Sequence, residues 1–153
     1  MFNKLRRFLQ APAAGQRLLL ETALTILAAQ IALRIFPFRW LVWWFERPSR
    51  QPERQGAARR AACEEIRTVI YFANQWFAIN AVCFPLSIAA QTMLRRRGVS
   101  TTLYYGAATL SPHDGLTAHV WLQDGDEGVV AHENLTQFQI LARYSAVQQS
   151  VTG

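Results

Sequence analysis

The chain has 153 residues, of which 51% are hydrophobic and only 17% are charged. This composition excludes a disordered chain, and the length predicts one domain, 1–153. The formal net charge of +6 would favour binding to nucleic acid, anionic lipid or an acidic peptide. The sequence has no zinc-finger spacing and no RNA-binding pattern of aromatic residues and glycine, so we predict no nucleic-acid partner.

The first third of the chain is predicted to be helical. Residues 1–10 have the pattern of a short basic amphipathic helix, which is interrupted by Ala11 and Pro12. The run GQRLLLETALTILAAQIALRIFPF that follows is long and apolar enough to raise the question of a membrane span. Glu21 and Arg34 are costly inside a bilayer, so we favour a soluble or surface-lying helix over a span.

Two further patterns bear on this helical region. Leu20, Leu24, Leu27 and Ile31 recur on one face, a spacing that predicts packing on a protein core. The run FRWLVWWFERP crowds tryptophans beside arginines, which is typical of membrane interfaces. A peripheral membrane contact is therefore left open.

Residues 47–60, RPSRQPERQGAARR, are rich in proline and arginine and predict an exposed linker. We accordingly divide the domain into a helical region with a basic linker, 1–60, and a core, 61–153. A second helix is expected from Ala61, with Ile66, Val69 and Ile70 at helical spacing.

In the last third of the chain the spacing of apolar residues changes from a helical to a strand-like pattern. CFPLSIAAQTMLRRRG predicts a helix that ends at Gly98, with basic residues in its last turn. Four strand-like runs follow, VSTTLYYG, LTAHVWLQ, GVVA and FQILARY, and DGDEG predicts a hairpin connection between the second and third. Helices followed by an antiparallel sheet indicate an α+β fold.

The chain has two cysteines, Cys63 and Cys83, and no secretory signal pattern. We therefore predict a reducing cytoplasm and give a disulfide between them little weight. Cys83 stands at a helix start with Pro85 in the first turn, an environment that favours thiolate. His119 lies inside a predicted strand, and this order of cysteine and histidine suggests a nucleophile and its base.

A cysteine–histidine site of this kind also needs a group that orients the imidazole and donors that bind the oxyanion. A third group should orient the imidazole of His119, and Asp124, Asp126 and Glu133 are candidates, with Glu133 slightly ahead. The oxyanion would be bound by the backbone N–H of Cys83.

Gln75 or Asn80 is a candidate side-chain donor to the same oxyanion. The sequence has no HExxH, no paired CxxC and no phosphate-binding loop, so we expect no metal and no bound cofactor.

The string CFPLSIAAQTMLRRRGVSTTLYYG, followed by TAHVWLQDGDEGVV, resembles the leader peptidase of lasso-peptide biosynthesis, a transglutaminase-like cysteine peptidase. The helical opening RRFLQAPAAGQRLLLETALTILAAQIALRIFPF is also similar to that family. The resemblance implies a helical layer followed by a papain-like or transglutaminase-like helix and antiparallel sheet.

The resemblance implies that Cys83 is the nucleophile and His119 the general base of a peptidase that removes the leader from a ribosomally made precursor peptide. It also implies two partners, a separate leader-recognition protein and an asparagine-synthetase-like cyclase that closes the macrolactam with ATP. The family's acid is an aspartate about a dozen residues after the histidine, where this chain reads VVAHEN. Glu133, Asp126 or a Cys-His dyad remain alternatives.

The chain departs from the family again before the nucleophile, where FAINAVC replaces a common Pro-Trp pair. Its length leaves no room for the leader-recognition domain that some members carry, which is why a separate recognition protein is expected. Two rival functions stay open. One is a non-catalytic membrane-associated scaffold, and the other is acyl or amide transfer to an amine by the same residues.

Overall fold

The computed structural model describes residues 12–109 and 115–146. The helix predicted for residues 1–10 lies outside the described residues. Four helices come first and a sheet follows, as the bounds show: α1 Ala13–Ile35, α2 Phe38–Phe45, α3 Gly56–Trp76, α4 Cys83–Arg96, β1 Thr102–Thr109, β2 Leu116–Asp124, β3 Glu127–Val130 and β4 Gln139–Ser145. The α+β fold predicted from the sequence is confirmed.

The sheet is antiparallel, with the strand order β3-β2-β1-β4. The β2–β3 hairpin turns at Gly125, which has φ +60, a conformation that glycine adopts without strain. One face of the sheet packs on α4, and α1 and α3 pack on the same helix. The hydrophobic core therefore lies between the helices and one face of the sheet.

Helix α4 is the centre of this core. Ten consecutive residues, from Pro85 to Leu94, are buried. The stretch includes the polar side chains of Ser87, Gln91 and Thr92. A helix that is covered on all sides cannot rotate or slide without breaking its packing, so the position of its first residue is fixed by the core.

Helix α1 presents a different face to the core from the one predicted. Leu20, Leu24, Leu27 and Ile31 are exposed. The buried residues of this helix are Leu19, Thr22, Ala23, Ile26 and Ala29. The predicted face was wrong because the helix is apolar on most sides, so spacing alone does not choose its orientation.

Packing of the buried face and an ion pair accompany the observed rotation of α1. Glu21 forms an ion pair with Arg97, with an Oε2–Nη2 distance of 2.9 Å. The hydroxyl of Thr22 donates to the Leu18 carbonyl at 2.7 Å, so this polar residue is satisfied within the core. By length and composition α1 is also apolar enough to cross a membrane. Its most apolar stretch of 18 residues has a mean hydropathy of 1.7, although 28% of that stretch is buried within the protein.

The basic linker is shorter than predicted, because α3 begins at Gly56 and not at Ala61. The N–H of Arg54 donates to the Gly98 carbonyl at 2.7 Å, which ties the segment before α3 to the end of α4. Arg59 also bonds both carboxylate oxygens of Asp124 through its Nε, at 2.9 and 2.8 Å. The segment before α3 is therefore tied to the end of α4, and the first turn of α3 is tied to the end of β2.

The orientation of α1 gives a matched test. Ile26 is fully buried, whereas Leu24 on the neighbouring face is 67% exposed. Ile26→Ala should lower the free energy of unfolding by about 2 to 5 kcal/mol, because it leaves a cavity in the core. Leu24→Ala should change it by less than about 0.5 kcal/mol. Urea unfolding measures both, and the reverse order would show that the helix is turned as the sequence pattern suggested.

Candidate active site

Cys83 is the first residue of α4, and its thiol is free and partly exposed. Val82 precedes the helix with extended backbone, and the first turn contains no acidic residue. The first backbone bond of the helix runs from Leu86 N–H to the Val82 carbonyl at 3.3 Å. The amides at the start of a helix carry partial positive charge, so they can stabilise negative charge that develops here during a reaction.

The loop before Cys83 is held by Asn74, a residue near the end of α3. Its amide oxygen accepts from the Ala81 N–H at 2.9 Å, and its Nδ2 donates to the Ala81 carbonyl at 3.1 Å. Ala78 and Asn80 in this loop have positive φ. Because both polar groups of Ala81 are bound, the chain enters α4 in one defined direction.

Ser87 connects the cysteine helix to the strand of the predicted base. Its hydroxyl donates to the Val120 carbonyl at 3.4 Å. Cys83 and Ser87 are four residues apart and share a face of α4. The face of the helix that carries the thiol is therefore directed at β2, the strand that contains His119.

His119 is held by a backbone carbonyl. Its Nε2 lies 2.8 Å from the oxygen of Ala131. Since a carbonyl oxygen only accepts, Nε2 must carry the proton, and Nδ1 of the neutral ring carries the lone pair. The contact therefore selects the tautomer in which Nδ1 is ready to accept a proton.

The carbonyl that binds His119 is itself fixed. Ala131 has φ +54, a left-handed conformation that turns the chain away after β3. Its N–H donates to the hydroxyl of Tyr71, on α3, at 2.8 Å. Helix α3 thus holds the residue that orients the imidazole.

Aromatic rings surround His119. The imidazole stacks on Phe138 at 4.9 Å and on Trp121 at 5.8 Å between ring centroids. Val120 and Leu122 belong to the helix-facing core, so strand alternation places His119 on the other face of the sheet. Because β3 pairs with β2 only from Leu122 to Asp124, the edge of β2 beside His119 is open. The ring uses this open edge to reach Ala131.

The thiol of Cys83 lies on the helix side of the sheet, whereas the imidazole of His119 belongs to the other face and lies at the open edge of β2, and no hydrogen bond joins them among residues 12–109 and 115–146. Hydrogen bonds between catalytic groups are often long before substrate binds and tighten in the complex. The assignment of these two residues as nucleophile and base stays a prediction.

The predicted acids occupy other positions. Asp126 lies exposed in the hairpin turn, and Glu133 lies exposed in the loop after β3. Within the described part of the chain, neither side chain contacts His119. Asp124 is engaged with Arg59, at an Oδ1–Nη2 distance of 2.5 Å. The Ala131 carbonyl therefore occupies the place for which the sequence suggested a carboxylate.

Of the predicted oxyanion donors, the backbone N–H of Cys83 lies at the helix start. Gln75 is an exposed residue in the last turn of α3, and Asn80 donates from its Nδ2 to the Ala78 carbonyl at 3.1 Å. In the described ranges, neither side chain contacts Cys83. Both remain untested candidates.

The second cysteine is in a different environment. Cys63 packs beside Asp124, with a sulfur–oxygen distance of 3.6 Å. Burial of the thiol, and then the negative charge of Asp124, raise the pKa of Cys63 to about 12. This thiol stays protonated at neutral pH, so it is a poor nucleophile.

Sequence reasoning missed three residues that organise the site. Asn74 and Tyr71 carry no sequence signal beyond their positions on α3. Gly106 is the cross-strand partner of His119 and leaves room for the ring of Trp121. A Cβ added at Gly106 would come within 2.9 Å of Trp121 Cζ3. A glycine inside a strand is the one signal that indicated such a close approach.

Among the described residues, no group of three or more His, Cys, Asp or Glu side chains is arranged to hold a metal. His132 contacts Gln123, with 2.7 Å between Nε2 atoms, so it has a partner of its own.

Comparison with known proteins identifies the fold family. The sequence profile of the transglutaminase-like superfamily matches residues 32–143, which is more than half of the chain. Searches of curated proteins and of solved structures find no match. The match begins inside α1 and extends to β4, so it includes both Cys83 and His119. The chain belongs to the transglutaminase-like superfamily.

Proposed function

We propose that this protein is a cysteine peptidase that removes the leader from a ribosomally synthesised precursor peptide during lasso-peptide maturation. The observation that carries the proposal is the position of Cys83 at the start of a buried helix that packs on β2, the strand that contains His119. The superfamily includes cysteine peptidases and transferases. The proposal that the substrate is a leader peptide rests on the resemblance of the sequence around Cys83 and His119 to the leader peptidases.

In the first half of the reaction, Nδ1 of His119 takes the thiol proton of Cys83, and the thiolate attacks the carbonyl carbon of the leader–core bond. The developing oxyanion is bound by the N–H of Cys83 at the positive end of α4. The imidazolium then gives its proton to the amine of the core peptide, which leaves. The leader remains as a thioester on Cys83.

In the second half, His119 takes a proton from water, and the hydroxide attacks the thioester carbon. The thiolate of Cys83 leaves and is protonated, and the leader departs as a carboxylic acid. The Ala131 carbonyl stabilises the imidazolium less than a carboxylate does, because it carries only a partial negative charge. Orientation of the ring is its main contribution.

The proposal also includes the partners implied by the resemblance. A separate leader-recognition protein would deliver the precursor peptide, and an asparagine-synthetase-like cyclase would close the macrolactam with ATP. The chemistry at Cys83 itself uses no metal, and a requirement for ATP would arise through the cyclase. We place the reaction in the cytoplasm.

Substitution of the two cysteines tests the nucleophile. Cys83→Ala should abolish leader cleavage in a mixture with precursor and recognition protein, whereas Cys63→Ala should retain it, because the Cys63 thiol stays protonated. The products are measured by mass spectrometry. Normal cleavage by Cys83→Ala would contradict the proposal, and leader joined to an added amine in place of free leader acid would indicate a transferase.

Alkylation compares the reactivity of the two thiols in the folded protein. Iodoacetamide at neutral pH should modify Cys83 at least about tenfold faster than Cys63, since only a thiolate reacts well. The pKa of Cys63, raised to about 12 by its burial and then by Asp124, means that its labelling should increase only in strongly alkaline solution.

A histidine pair supplies the control for alkylation. His119→Ala should slow the labelling of Cys83, and His132→Ala, which removes the contact with Gln123, should not. Equal labelling of Cys83 in both variants would show that His119 does not activate it. Peptide mapping identifies the modified cysteine.

Tyr71 tests the role of the Ala131 carbonyl. Tyr71→Phe removes the hydroxyl that accepts from the Ala131 N–H. A hydrogen bond of this kind contributes about 0.5 to 1.5 kcal/mol, so kcat should fall by about 2-fold to 13-fold with little change in KM. Tyr104→Phe, on a ring that stacks on Trp121, is the matched control and should leave kcat unchanged. Equal kcat values for the two variants would contradict the role.

A further inference from the structure

Helix α1 carries an apolar stripe that the core does not use. Its members are the exposed residues Leu20, Leu24, Leu27, Ile31 and Ile35. They follow one another at intervals of three or four residues, so they form one continuous row along the helix. Exposed apolar surface of this extent marks a site of interaction.

Helix α2 extends this stripe with aromatic rings. Trp40 and Trp43 are 60% and 63% exposed, and Phe36 stacks on Trp40 at 6.5 Å. A cavity of about 630 Å³ opens between α1 and α2, and Leu24, Phe36, Trp40 and Trp43 are among the residues that line it. We call the α1 stripe together with Phe36, Trp40 and Trp43 the apolar patch.

Arginines border the apolar patch. The guanidinium of Arg47 lies over the ring of Trp43, 4.1 Å from its centroid. That of Arg95 lies 4.8 Å from the centroid of Trp44. Arg34 and Arg39 are exposed where α1 ends and α2 begins. Tryptophan beside arginine is the composition of the layer between the lipid tails and the headgroups.

From this geometry we propose that the apolar patch docks the protein on the surface of an anionic lipid bilayer. The apolar row and the indoles enter the interface, while the bordering arginines meet the lipid phosphates. The charge of +6 on the whole chain favours such a surface. It also disfavours a second copy of this chain as the occupant, because a symmetric dimer would bring the same basic border together.

The opposite face of α1 excludes a span in the folded protein. Ile26 and Ala29 are buried in the core, and Glu21 pairs with Arg97. A helix that crossed the bilayer would lose these contacts and leave a carboxylate in the hydrocarbon. The protein therefore lies on the membrane. This inference is independent of the chemistry at Cys83.

Sedimentation of the full-length protein with vesicles tests the proposal. The protein should bind vesicles of phosphatidylcholine mixed with phosphatidylglycerol more tightly than vesicles of phosphatidylcholine alone, and added salt should weaken the binding. Ile31→Asp should weaken it by at least about tenfold.

Leu141→Asp is the matched control, because Leu141 lies on β4 with 57% exposure against 56% for Ile31. It should bind as the unaltered protein does. Equal binding by Ile31→Asp and the unaltered protein, or a failure of the unaltered protein to bind either vesicle, would overturn the proposal. Dimers in solution that the Ile31→Asp substitution dissociates would indicate a second copy of the chain as the occupant. Resistance to alkaline extraction from native membranes would indicate a membrane span. Either result would overturn surface docking.

Discussion

The burial of α4 is the constraint on which the rest of the structure depends. From Pro85 to Leu94 every residue is covered, by α1 and α3 on one side and by the sheet on the other. A helix in this position has one register and one rotation, and Ser87 adds a bond to the Val120 carbonyl. The core thereby fixes the backbone amides at the helix start, and with them the location of Cys83. The partly exposed thiol is thus carried by a helix that is buried from Pro85 to Leu94.

The second half of the site is organised by main chain more than by side chains. His119 is oriented by the Ala131 carbonyl, and Ala131 is in turn held by its positive φ and by Tyr71. A carbonyl selects the same ring tautomer as an aspartate does, but it supplies less charge to the imidazolium. Such a site depends on accurate placement of the ring. Phe138 and Trp121 are part of that placement, because they stack on the imidazole, and Gly106 leaves space for the Trp121 ring.

Much of the fold followed from the sequence, because periodicity and turn residues are local signals. The start of α4 at Cys83 and the four strands lie where these patterns predicted them. The face of α1 was not predictable, since ion pairing of Glu21 with Arg97 and packing across the chain decide it. The partner of His119 was missed for a related reason. A sequence shows carboxylates but gives no sign of which backbone carbonyl will face a ring, so the sequence offered only Glu133, Asp124 and Asp126 as candidates.

The two proposed activities belong to different parts of the protein: an apolar patch bordered by arginine on α1 and α2, and a candidate catalytic site formed by Cys83 on α4 and His119 on β2. Covalent trapping tests the central claim most directly. A peptide with the precursor's leader sequence and a C-terminal chloromethyl ketone should modify the native protein once, on Cys83, and His119→Ala should suppress the reaction. Attachment at Cys63 or at another side chain, or labelling of Cys83 that is as fast in His119→Ala, would contradict the account.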